Sequence, residues 1–252
     1  MVTVDLARFD AMVFDLDGVV TKTAAVHAAA WQRLFDELLE RRAEGEAWTP
    51  FDIDRDYRMY VDGKPRRDGI RSFLAARGIT LPQGRHGDDP DATTIHGLAE
   101  RKNGYVLAHL ARAGVEVYDD TVRLIHAARA HGVKRAVVTA SENCDAVLAA
   151  ARLAGLFEVQ VDGRVASNLG LRGKPAPDTF LEAVRRLGTS PARTIVFEDA
   201  IAGVRAGHAG GFALVLGVDR TGHADELRGA GADAVVASLD EIELLDVAEA
   251  RP

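Results

Sequence analysis

The sequence predicts an α/β fold: a parallel sheet covered on both faces by helices, with a block of helices inserted after its first strand. Three observations carry that expectation. Ala11-Met12-Val13-Phe14 is a short apolar run of strand formers that ends in Asp15, Asp17 and Gly18. Helical periodicity without a further strand fills the stretch that follows, to about Gly114. From Val117 onward apolar strands alternate with helices, the pattern of a doubly covered parallel sheet.

Each element can be justified in turn. In the first strand, residues two apart point to one side, so the carboxylates of Asp15 and Asp17 project together and Gly18 lets the backbone turn away. Two like charges at a strand end are costly to bury unless a cation or proton sits between them, which marks a site; the bland alternative is a turn with solvated acids. Thr23 to about Arg42 reads as a helix, with His27, Trp31, Leu34, Phe35 and Leu38 on one face. Residues 43–62, poor in aliphatics, read as loop. A second helix begins near Arg66 and carries Ile70, Phe73 and Leu74. Residues 78–91, with Pro82, Gly84, Gly87 and Pro90, read as an exposed loop, and a third helix runs from about Ala92 to Arg112, ending near Gly114. Strands follow at 135–139, 157–161, 194–197, 212–216 and 234–236. Helices are expected at 143–154, 177–187 and 201–208, with a last one from Leu239.

Composition narrows the function. The chain of 252 residues is long enough for one large domain or two smaller ones, and its 47% hydrophobic and 27% charged residues are those of a globular protein. A formal charge of -7, from 38 acids against 31 bases, argues against a nucleic-acid surface. Cys144 is the sole cysteine, so no internal disulfide forms and a reducing compartment is expected. With Asp5 near the start and no long apolar stretch, neither a signal peptide nor a membrane span is visible, and a cytoplasmic protein is expected.

In a parallel sheet, ligands bind beyond the carboxyl ends of the strands. Those ends carry Asp15 and Asp17, then Thr139, then Glu198 and Asp199, while the rigid loop Gly173-Lys174-Pro175 can bring Lys174 to the same edge. Hard carboxylate oxygens suit Mg²⁺, and a carboxylate attacks phosphorus once a metal and a cation neutralise the incoming dianion. A second acid two residues on can move the proton. A phosphoacceptor receiver module would use similar residues. An acceptor on the first strand followed by some ninety helical residues argues against that reading.

In this order, Asp15-Leu16-Asp17-Gly18, Thr139, Lys174 and Glu198-Asp199 resemble the four motifs of the haloacid dehalogenase superfamily of phosphoryl-transfer enzymes, and the helical block resembles its mobile cap. The resemblance implies a Rossmann-like core of residues 1–22 and 115–252 with a helical cap domain of residues 23–114. It also implies that Asp15 is the nucleophile and Asp17 the general acid/base. Mg²⁺ would be held by Asp15, Glu198, Asp199 and the backbone carbonyl of Asp17, and Thr139 and Lys174 would bind the transferring phosphate. Within the superfamily the chain is most similar to sugar-phosphate mutases that interconvert β-D-glucose 1-phosphate and glucose 6-phosphate through bound glucose 1,6-bisphosphate. Thr23, His27 and Trp31, spaced four apart, match their cap pattern; Lys102 matches the cap lysine. Gly63 and Arg66 match the loop that grips the distal phosphate, and Ser141 and Asn143 a further phosphate-binding pair. The implied partner is a small sugar phosphate, with no nucleic acid and no membrane, acting on a monomer. The alternative is a phosphatase of small sugar phosphates, with water as acceptor. Three departures stand out: Thr21-Lys22-Thr23 replaces Thr-Asp-Thr, Ser141-Glu142-Asn143 replaces Ser-Lys-Asn, and the cap is longer around 43–50 and 82–91.

Overall fold

A computed structural model describes residues 1–43 and 47–245. In chain order its strands and helices are β1 (Val2–Asp5), β2 (Ala11–Phe14), α1 (Ala24–Ala43), α2 (Arg66–Ala76), α3 (Ile95–Ala113), α4 (Asp119–Ala130), β3 (Lys134–Val138), α5 (Cys144–Ala150), β4 (Val159–Val161), α6 (Gly163–Leu169), α7 (Asp178–Leu187), β5 (Thr194–Glu198), α8 (Ile201–Ala209), β6 (Leu214–Val218), α9 (Ala224–Ala230), β7 (Ala234–Val236) and β8 (Ile242–Leu245).

Six strands form an all-parallel sheet in the order β4-β3-β2-β5-β6-β7. The strand that carries the acids is central, with Phe14 opposite Val137 on one side and Phe197 on the other. A central strand is buried on both faces, which is why its residues are all apolar. Met12 and Phe14 join the hydrophobic cluster that includes Ile125, Leu148 and Phe197, and Phe14 stacks on Phe197 at 4.5 Å. Ala11 and Val13 join the opposite cluster, with Phe180, Val184 and Val204. Strand order reverses at β2, so successive chain crossings leave a crevice beyond its carboxyl end.

The inserted helices bury their own core. The stripe read from α1, Trp31, Leu34, Phe35 and Leu38, packs with Phe51, Ile70, Phe73 and Leu98, and the Phe35 and Phe73 rings lie 4.0 Å apart. Where the chain leaves and rejoins the sheet, its two connections run side by side: Lys22 N–H donates to the Glu116 carbonyl at 2.9 Å and Tyr118 N–H to that of Val20 at 3.0 Å.

Several expectations need correction. The expected C-terminal helix from Leu239 is a single 3₁₀ turn over Leu239–Glu241, closed by a Ser238/Glu241 capping box, after which β8 pairs in parallel with β1. The capping box starts a helical turn, but Ile242 to Leu245 pair with the terminal strand instead of continuing it. That strand, and helices α4, α6 and α9, carried no signal that was read. Residues 43–62 are not wholly loop, since Tyr57–Val61 make one π-helical turn. Part of the longer cap segment at 43–50 lies outside the described residues. Among the described residues no helix is long and apolar enough to cross a membrane.

Candidate active site

The site is assembled from strand ends on one wall and helices on the other. Asp15 follows β2 directly, its N–H donating to the Phe197 carbonyl at 3.0 Å. Both its carboxylate oxygens are engaged: Oδ1 by the Lys174 ammonium and Oδ2 by the Asp17 N–H at 2.8 Å. Lys174 also bonds Glu198 Oε1, and Glu198 Oε2 accepts from Ala200 N–H at 3.0 Å. Lys174, Asp15 and Glu198 thus form a buried ionic triad beneath the crevice. Burial alone would lower the Lys174 pKa, but the two carboxylates hold it above the usual lysine range. Burial, opposed by Lys174 but joined by the charges of Glu198 and Asp17, raises the Asp15 carboxyl well above the ordinary carboxylate range.

Asp17 turns its carboxylate the other way, towards the inserted helices. Oδ1 accepts from the Thr23 hydroxyl at 2.5 Å and lies 3.3 Å from His27 Nε2, while Oδ2 accepts from the Thr139 hydroxyl at 3.0 Å. His27 Nδ1 in turn lies 2.6 Å from Lys102 Nζ. Burial and the Lys102 charge lower the His27 pKa. A neutral imidazole accepting from Lys102 at Nδ1 and donating to Asp17 from Nε2 satisfies every partner. Burial would raise Asp17, yet His27 and the two hydroxyls hold it well below the ordinary carboxylate range. Burial and the Arg66 guanidinium bring Lys102 down to about 7. Its ammonium also lies over the Trp31 ring, 4.8 Å from the centroid.

Around this chain stand the residues expected to bind a second phosphate. Arg66, at the start of α2, donates to the Ala99 carbonyl at 3.2 Å and to Asn103 Oδ1 at 3.0 Å. Asn143 Nδ2 reaches the same Asn103 oxygen at 2.8 Å, tying the helical block to the core. Ser141 N–H donates to Thr139 and its hydroxyl accepts from Asn143 N–H. Gly63 has φ +67 and approaches so closely that an added Cβ would lie 3.0 Å from that of Ala200. Most of the candidate site residues, from Asp15, Asp17 and Asp199 to His27, Arg66, Lys102 and Asn143, therefore meet at one crevice. Glu198 and Lys174 lie under its floor, and Thr23 on its rim against Asp17. Lys22, the charge reversed beside the first motif, points away and pairs with Glu116 at 3.1 Å.

Three participants were missed. Asn103, next to Lys102, bridges Arg66 and Asn143. Tyr57 and Asp62 line the crevice and hydrogen-bond each other. Burial, together with the Glu198 charge, raises Asp62 to about 7 against the opposing bond from Tyr57. The π turn that delivers them has no simple sequence pattern; Asp62, next to Gly63, was the available clue.

The acidic floor fits a divalent cation in part. Asp199 Oδ1 is buried with no hydrogen-bond partner, and burial beside Asp62 and Asp15 pushes this carboxyl well up. An unpaired buried carboxylate of this kind calls for a cation. Gly18 stands so close that an added Cβ would lie 1.8 Å from Asp199 Oδ2, which explains why a glycine with φ +105 is needed there. Among the described residues, however, no three His, Cys, Asp or Glu side chains converge as a ready ligand set. The physical reasons are visible: Lys174 stands between Asp15 and Glu198, and the Asp17 carboxylate faces the cap, leaving only its backbone carbonyl for a metal.

Comparison with known proteins agrees with the architecture. The haloacid dehalogenase-like hydrolase family model matches residues 9–211. The chain is 46% identical over 237 residues to a β-phosphoglucomutase of Mycobacterium tuberculosis, covering 92% of this chain and 90% of that protein. The structure resembles a β-phosphoglucomutase of Clostridium difficile with a TM-score of 0.73, 23% identity and 92% coverage of both chains. It also resembles CbbY of Rhodobacter sphaeroides in complex with xylulose-(1,5)bisphosphate, with a TM-score of 0.70, 24% identity, and 94% and 97% coverage.

Proposed function

Because the chain belongs to the haloacid dehalogenase-like hydrolase family, we propose that it is a Mg²⁺-dependent β-phosphoglucomutase, interconverting β-D-glucose 1-phosphate and glucose 6-phosphate through an aspartyl phosphate and bound β-glucose 1,6-bisphosphate. The observation that carries this reading is the Lys102–His27–Asp17 chain, which joins a helix of the insertion to the acid two residues beyond the nucleophile. A phosphatase needs Asp15 and Asp17 alone; a mutase also needs a way to make proton transfer depend on a bound sugar. The 46% identity to a named β-phosphoglucomutase supports the same choice.

In this reading residues 1–22 and 115–252 are the catalytic core and 23–114 the cap that closes over it. Asp15 carries the phosphoryl group, its two oxygens aimed by Lys174 and the Asp17 N–H. Asp17, ionised and held by three donors, takes the proton from the sugar hydroxyl as that oxygen bonds to phosphorus and the bond to Asp15 breaks. In the second half-reaction Asp15 attacks the other phosphate of the bisphosphate, and Asp17 returns the proton to the departing sugar oxygen. Thr139, Ser141 and Asn143 hold phosphate oxygens, Arg66 and Gly63 receive the distal phosphate, and Thr23, His27, Trp31 and Lys102 set the cap against Asp17. Asp15, Asp199 and Glu198 would hold Mg²⁺ through their carboxylates and Asp17 through its carbonyl, Glu198 doing so by loosening its bond to Lys174. When bound, the ion neutralises charge between Asp15 and the approaching phosphate. Closure of the cap excludes water from the phosphoenzyme.

Phosphorus NMR of β-glucose 1-phosphate with the protein, Mg²⁺ and a trace of glucose 1,6-bisphosphate tests this reading. Glucose 6-phosphate should accumulate well ahead of inorganic phosphate. Release of inorganic phosphate without glucose 6-phosphate would establish the phosphatase instead.

A further inference from the structure

One carboxylate in the distal region has no task in the reaction above. Glu142 Oε2 lies 3.4 Å from Arg66 Nη2. The remaining partners of that guanidinium, the Ala99 carbonyl and Asn103, belong to α3 within the cap. Among the described residues Glu142 is the only core side chain that an ion pair joins to Arg66. The arginine side chain is 13% exposed and the glutamate 37% exposed, so one is fixed and the other has room to move. Glu142 also lines a cleft of about 570 Å³ in which the bases Lys64, Arg67, Arg71 and Arg172 outnumber the acids Asp68 and Glu100, Asp68 being paired with Arg71 at 2.7 Å. Lys64 is held there by the Met59 carbonyl and the Ser72 hydroxyl and, among the described residues, makes no ion pair.

We infer that Glu142 is an internal stand-in for the distal phosphate: it holds Arg66 while the site is empty, and yields it by swinging into the basic cleft when a phosphate arrives. The inference rests on the mutase reading, because only a bisphosphate intermediate needs a distal grip that is made and released in each turnover. To present its second phosphate to Asp15 the intermediate must turn end for end, and Arg66 must let go. A buried guanidinium left bare is costly, whereas one that regains a carboxylate is not. Glu142 therefore loosens the hold on the bisphosphate and hastens its turning. The same pair latches the cap to the core when nothing is bound. Glu142 in this account is a positioning residue that acts through Arg66.

Glu142→Gln keeps the shape and removes the charge. In an Asp15→Asn background, which blocks turnover, calorimetric titration with glucose 1,6-bisphosphate should show about three- to tenfold tighter binding for the Gln variant, with a larger gain at low salt than at high. Unchanged or weaker binding overturns the inference. Glucose 6-phosphate is titrated alongside: if it binds and the bisphosphate binds neither protein, the mutase reading falls. The latch is then judged without substrate. With fluorophores on cysteines placed at the exposed positions Arg41 and Arg129, the ligand-free Gln variant should spend more time open than its parent, and high salt should open the parent. Identical distance distributions for the two proteins at both salt concentrations contradict the latch.

Discussion

The two walls of the crevice hold their side chains by different means. On the sheet side, Asp15, Thr139 and Glu198 sit at or just past the ends of adjacent parallel strands, and β-ladder hydrogen bonds fix where each one starts. On the helical side, His27, Arg66 and Lys102 come from three separate helices: His27 meets Asp17 and Arg66 meets Glu142, while Lys102 reaches the core only through His27. The sheet wall is held by a continuous backbone ladder, whereas the helical wall meets the core through side chains, among them also Asn103 with Asn143 and Arg58 with Glu226. On the proposed mutase reading the difference divides the labour: the sheet wall carries the chemistry and the helical wall the choice of acceptor.

The most damaging way to test that division is to disable the fixed wall. Asp15→Asn should abolish turnover, by on the order of 10⁴-fold or more, because an amide cannot accept the phosphoryl group. The thermal melt should stay close to that of the parent, since Lys174 keeps Glu198 as its partner. Appreciable activity in purified variant would place the nucleophile elsewhere. Asp17→Asn comes next. It should cost about 10²- to 10⁴-fold in rate. Mg²⁺ affinity, measured by calorimetry, should change far less, because the carboxylate faces Thr23, His27 and Thr139. Parallel collapse of both would make Asp17 a side-chain metal ligand.

Smaller effects should come from the helical wall. A charged hydrogen bond contributes about 1.5 to 3 kcal/mol, so Arg66→Ala should weaken bisphosphate binding by tens-fold. Lys64→Ala should weaken it only a few-fold, since its ammonium is already engaged by the Met59 carbonyl and the Ser72 hydroxyl. Equal losses would shift the distal grip to Lys64. The pH dependence is subtler still. Lys102 has its pKa lowered from 10.5 to about 7 by burial first and Arg66 second. Between those values the unfolded chain binds the proton that the folded one has lost, so this group's contribution to stability improves as pH rises through 7. Phosphate binding should show the opposite sign. Affinity for glucose 6-phosphate in the Asp15→Asn background should decline above pH 7 as the ammonium is lost, and Lys102→Met should flatten that decline.

The same contrast governs what could be read from the sequence. Asp15, Asp17, Thr139 and Glu198 were legible because an apolar strand ending in a polar residue leaves that residue no freedom about where it lies. The stripe of α1 was legible for the same reason, as 3.6-residue periodicity fixes a face. His27 and Lys102 stood out only by family resemblance; nothing local says that residues 75 apart in sequence will touch. Tyr57 and Asp62 escaped because a single π turn, in a stretch poor in aliphatics, delivers them. The terminal pair β1 and β8 was missed because strands of four residues joined across the whole chain leave little periodicity to detect.

The division of labour is tested most directly by the fate of one phosphoenzyme offered two acceptors. Protein phosphorylated on Asp15 would be mixed with β-glucose 1-phosphate, and glucose bisphosphate and inorganic phosphate followed together by rapid quench, in the parent and in Lys102→Ala. If the helical wall selects the acceptor through His27 and Asp17, the variant should transfer to sugar at least about tenfold more slowly, while hydrolysis stays within about threefold of the parent. If transfer and hydrolysis fall by the same factor, Lys102 supports the catalytic wall itself, and the separation of chemistry from choice is wrong.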